Sequence, residues 1–204
     1  VLFPALNIRM FAHTALAPNW LVLLALWFWL CAERSENRPA TAKLCLWWGI
    51  LGLLCAGIHL YYLPMVGMVL VAACVQRALE KRGPAAVVLP VASFCGAALA
   101  ELFVRGAVAA NFAGYSNGYL SGADLANLFV PGLGASWEQE IYAGLGTTIA
   151  VVLALAGLLV QHKQAGAFFR RHKNVVRAAL VLLVLDAIAA MGNAVTFAGR
   201  TLFT

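Results

Sequence analysis

Arg9 and His13 stand four residues apart, so on a helix their side chains fall on one face, within reach of a common ligand. A guanidinium and an imidazole converging there suit an anion such as a phosphate, because a charged donor makes a shorter and stronger hydrogen bond than a neutral one. His59 is followed at once by Leu60, Tyr61 and Tyr62. It admits two readings: a general base or phosphate ligand, or one of the amphipathic rings that favour a membrane–water interface. Glu138, Glu140 and Tyr142 add two carboxyls and a phenol close together in the chain. Asp186 interrupts an apolar run, where an ionisable group is costly; it either marks a functional path or packs as a neutral, hydrogen-bonded residue. Glu101 and Arg105, one helical turn apart, are expected to pair with each other.

The motifs of soluble enzymes are missing: the sequence has no P-loop, no complete G-x-G-x-x-G, no H-E-x-x-H and no G-x-S-x-G. Its five cysteines, Cys31, Cys45, Cys55, Cys74 and Cys95, form no C-x-x-C pair and have no histidine at metal spacing. They read as thiols facing core or lipid, and neither a metal nor a cofactor is expected.

The elements that must position these groups follow from composition. Soluble domains carry about 25% charged and about 45–50% apolar residues, whereas this chain has 11% and 63%. Too much apolar side chain is present for a globular core to hide, so the solvent for it is lipid. The net charge of +6 does not indicate nucleic acid, since the basic residues sit in short stretches between apolar runs rather than in one aromatic-interleaved patch. Six runs approach the roughly 20 residues of a membrane helix: 16–32, 44–60, 63–75, 85–104, 141–160 and 175–191. The third is short, and Pro64 predicts a break after the second, so these two are expected to form a helical hairpin turning at 60–64. The fold class is thus all-α and polytopic, with small residues such as Gly49, Gly52, Gly57 and Gly96 allowing close helix approach.

Orientation follows from the basic residues, which gather on the cytoplasmic side. Arg34, Arg38 and Lys43 follow the first run, Arg77, Lys81 and Arg82 the third, and Lys163, Arg170, Arg171, Lys173 and Arg177 the fifth. Only Arg9, Arg105 and Arg200 are left for the other face, and a six-span alternation puts all three clusters on one side. The long stretch 105–140 then faces outward. Its Tyr115, Tyr119, Phe129 and Trp137 predict a packed loop with a short interfacial helix near 124–129 rather than a solvated linker. The chain opens at Val1 without an initiator Met and stops at Thr204 just after an apolar run, which reads as an internal piece of a longer protein.

Several strings in order resemble a bacterial membrane family, the domain-of-unknown-function 6311 group, whose members are grouped with GT-C-type glycosyltransferases. They are Arg9-Met-Phe-Ala-His13-Thr-Ala-Leu16, Ile58-His59-Leu60-Tyr61, Asn127-Leu-Phe-Val-Pro131, Glu140-Ile-Tyr-Ala-Gly-Leu-Gly146 and Met191-Gly-Asn193-Ala-Val-Thr-Phe197. The resemblance implies a GT-C-like helical bundle in the bacterial inner membrane that takes a sugar from a polyprenyl-phosphate carrier at the extracytoplasmic face. It implies binding of the carrier phosphate by Arg9 and His13, with Glu138, Glu140 and Tyr142 shaping a sugar or acceptor pocket. The catalytic carboxylate of such enzymes lies in the first outer loop, upstream of Arg9. Where the family shows an acid-Gly-aromatic string, this chain has Glu140-Ile-Tyr-Ala. A transporter or flippase using His59 and Asp186, and a noncatalytic membrane assembly subunit, are the rival classes. The lipid bilayer and a lipid-linked sugar are the expected partners, and the oligomeric state is left open.

Overall fold

A computed structural model describes residues 19–34, 40–106, 145–191, 195–197 and 200–203. Seven helices and one short hairpin lie among them: α1 (Trp20–Arg34), α2 (Thr41–Ile58), α3 (Tyr62–Leu79), α4 (Ala85–Val104), α5 (Leu145–Val160), α6 (His162–Arg171), α7 (Lys173–Met191), β1 (Val195–Phe197) and β2 (Arg200–Phe203). The chain divides into two compact units, one of residues 15–114 and 174–183, the other of residues 1–14, 115–173 and 184–204.

In the first unit, α2, α3 and α4 are each long and apolar enough to cross a membrane. At 1.5 Å per residue they measure about 27–30 Å, the thickness of a bilayer's hydrocarbon layer. α1 is a shorter apolar helix. It buries Leu21, Ala25, Phe28, Trp29 and Ala32, yet the opposite stripe of Trp20, Leu23, Trp27 and Leu30 is just as apolar and is exposed. A helix facing water would carry polar residues there. Inward and outward faces that are both apolar make this a membrane protein.

α2 and α4 share the most extensive contact of the unit. They run parallel: Ser93 Oγ donates to the Cys45 carbonyl at 2.6 Å, Gly49 faces Ser93 and Ala97, and Gly57 faces Glu101 and Arg105. Midway, a Cβ on Gly52 would collide with the backbone carbonyl of Phe94, so only glycine permits this approach. The core joins Leu44, Trp48, Leu51 and Cys55 of α2 to Val66, Val69, Leu70 and Ala73 of α3, with Ala178 of α7.

The sequence-based boundaries need three corrections. The hairpin turn lies at 59–61, and Pro64 does not break a helix: it sits in the first turn of α3, where a backbone N–H would have no intrahelical acceptor. α3 does not stop at 75 but runs to Leu79, taking Gln76 and Arg77 inside the helix. It ends in a Schellman motif, with Lys81 N–H on the Ala78 carbonyl and Arg82 N–H on that of Arg77, and Lys81 at φ 54° where glycine is usual. The basic stretch after α5, taken as a connection, contains α6. The α4 bounds are as expected, and α7 ends at Met191 as expected.

In the second unit, α5 and α6 are consecutive helices. The hairpin pairs Val195 with Phe203, Thr196 with Thr201 and Phe197 with Arg200, antiparallel, with a bulge after Val195. These β-branched and aromatic residues suit a strand. The hairpin is an addition to the all-α expectation.

Candidate functional site

Of the six residues singled out for binding, only His59 is among those described. Arg9, His13, Glu138, Glu140 and Tyr142 lie outside the described residues, as do the expected interfacial helix near 124–129 and nearly all of the loop 105–140.

His59 ends α2 in extended backbone (φ −165°, ψ 134°), its N–H bonded to the Cys55 carbonyl. Its own carbonyl accepts the Tyr62 N–H, closing the turn into α3. The Tyr61 backbone N–H donates to His59 Nδ1 at 3.3 Å, and the two rings stack with centroids 4.8 Å apart. A neutral imidazole whose Nδ1 accepts carries its hydrogen on Nε2. With Nδ1 accepting from the turn, Nε2 is the donor nitrogen of a neutral His59.

The same end of the unit holds Glu101 and Arg105 near the close of α4, joined by a 2.5 Å ion pair with Nε donating to the carboxylate. A Cβ on Gly57, two residues before His59, would lie 3.3 Å from both Arg105 Nη2 and Glu101 Oε1. Histidine, carboxylate and guanidinium thus gather at one end of α2 and α4. The expected pairing of Glu101 with Arg105 is what the structure has.

The opposite end carries a second polar group that sequence reasoning missed. Trp29 Nε1 donates to Gln76 Oε1 at 2.8 Å, Gln76 Nε2 donates to Glu80 Oε1 at 2.9 Å, and Arg82 pairs with Glu80 at 2.6 Å. Arg77 is fully buried, and its Nη1 donates to the Ala86 carbonyl at 3.5 Å. That carbonyl is available because Pro90, four residues on in α4, has no N–H to bond it. Gln76 and Glu80, at i, i+4 across the end of an apolar helix, were the legible signal.

Asp186 is exposed on α7. The cysteines are all free, with Cys55 and Cys74 buried and Cys31 and Cys95 exposed. Among the described residues no group of His, Cys, Asp and Glu could hold a metal ion.

No curated protein and no solved structure matches this chain. The model of the family described as Domain of unknown function (DUF6311) matches residues 1–204, its whole length, and the chain belongs to that family.

Proposed function

We propose that the chain is membrane-embedded machinery of a GT-C-like glycosyltransferase, which takes a sugar from a polyprenyl-phosphate carrier at the extracytoplasmic face of the bacterial inner membrane. On this reading α1, α2, α3, α4, α5 and α7 are six spans, and the Lys- and Arg-rich stretches after α1, α3 and α5 are cytoplasmic. The His59–Tyr61 turn is then extracytoplasmic, and the Tyr61 N–H on His59 Nδ1 is the observation that carries the reading. An imidazole with Nδ1 engaged offers an Nε2–H at the level of lipid headgroups. It lies at the start of α3, whose dipole favours an anion. Arg9 and His13 supply further donors for the carrier phosphate, and Glu138, Glu140 and Tyr142 line the sugar or acceptor pocket.

Binding of a radiolabelled polyprenyl-phosphate sugar to the full-length protein in membrane vesicles tests this. A charge-assisted hydrogen bond contributes roughly 1.5–3 kcal/mol, so Arg9→Ala should weaken donor binding by about tenfold or more. Arg9→Lys should recover part of that, because a point charge does not reproduce a forked contact. His59→Gln, which keeps a donor near Nε2, should bind better than His59→Asn. Arg200→Ala should bind as wild type. Unchanged donor binding and glycan product in Arg9→Ala, at normal membrane level, would leave the noncatalytic assembly reading in its place.

A further inference from the structure

α6 stands apart from its neighbours in character. It is bounded by Gln161 (φ −102°, ψ 34°) and His172 (φ −110°, ψ 26°), so it is a helix of its own rather than a continuation of α5 or α7. Its ten residues extend about 15 Å, half of what a span needs. At about 100° per residue, Ala165, Phe168 and Phe169 fall on one side of the helix, and Lys163, Ala167, Arg170 and Arg171 on the other. Phe168 is 56% and Phe169 41% exposed. Their rings meet edge-on at 5.9 Å, and Phe168 also touches His172 at 4.6 Å. Lys163, Arg170, Arg171 and Lys173 are exposed as well. No acidic residue occurs from Ile141 to Leu185, so nothing nearby in sequence neutralises these cations.

We propose that α6 is an interfacial helix lying along the bilayer surface, with Phe168 and Phe169 among the acyl chains and Lys163, Arg170, Arg171 and Lys173 holding anionic phospholipid headgroups. A short helix with an aromatic face, a basic face and an apolar span beside it is built for that position. Charge complementarity selects the occupant: four cations without acids attract an anionic leaflet, and each contributes to holding the helix there. The two phenylalanines anchor it and the cations choose the lipid. This holds whether or not the protein transfers sugar.

The test is spin labelling of the full chain, freed of native cysteines and reconstituted in bilayers of phosphatidylcholine with increasing phosphatidylglycerol. A label at Phe168→Cys should be relaxed by oxygen and not by a water-soluble nickel chelate, and one at Arg171→Cys by the chelate. Arg170→Gln with Lys163→Gln should weaken the preference for phosphatidylglycerol, by roughly fivefold for each charge removed. A label at 168 relaxed by the chelate in every bilayer would overturn the proposal. So would one shielded from both agents, which would mean that protein covers this face, and so would immersion indifferent to phosphatidylglycerol.

Discussion

His59 shows how a backbone contact narrows a side chain's chemistry. The sequence left base and ligand open; the Tyr61 N–H on Nδ1 favours a donor at Nε2. Glu101 and Arg105 were legible because i, i+4 spacing alone brings such a pair together. Arg77 was not. Basic residues after an apolar run read as loop, whereas the Ala86 carbonyl, released by Pro90 and brought close by tertiary packing, gives the buried guanidinium an acceptor. The neighbouring chain from Trp29 through Gln76 to Glu80 gives a prediction at this scale. Gln76→Leu removes the acceptor of a buried indole N–H, and an unsatisfied buried donor costs about 1–3 kcal/mol. Thermal unfolding of the variant in detergent should show a clear drop in Tm. A Tm equal to that of wild type would mean the network does not hold α1 to α3.

Among the elements, α4 was read to its bounds because a run of twenty residues, apolar but for Ser93 and Glu101, between Gly83-Pro84 and Arg105-Gly106 leaves little choice. α6 was missed for the opposite reason: its cations were counted for orientation, and counting charges hides a helical period. The glycines differ in a way that composition does not reveal. Gly52 lies against the Phe94 backbone, whereas nothing stands within 4 Å of a Cβ on Gly96. Gly52→Ala should therefore force α2 from α4 and cost about 1–3 kcal/mol, the usual penalty of overpacking. Gly96→Ala, with room for its methyl and a better helix former, should be neutral or slightly stabilising. Equal Tm changes in the two variants would contradict the close approach of α2 and α4.

For the molecule as a whole, membrane residence was legible from composition, since 63% apolar and 11% charged residues leave no aqueous alternative. The structure gives this a local form in α1, apolar on both faces, and in three helices long enough to cross. Family membership over residues 1–204 agrees with the strings from which the resemblance was drawn. The proposed pocket was less legible, because spacing does not encode which distant residues come together; Arg9, His13, Glu138, Glu140 and Tyr142 lie outside the described residues. The proposed topology has six spans, with the His59 turn and the 105–140 stretch outside the cytoplasm. Single cysteines introduced at Ser121 and at Ser35, on a background freed of Cys31, Cys45, Cys55, Cys74 and Cys95, test it directly with a membrane-impermeant maleimide. Ser121→Cys should label in intact cells and Ser35→Cys only after the membrane is opened; the reverse pattern, or labelling of both in intact cells, would rule this topology out.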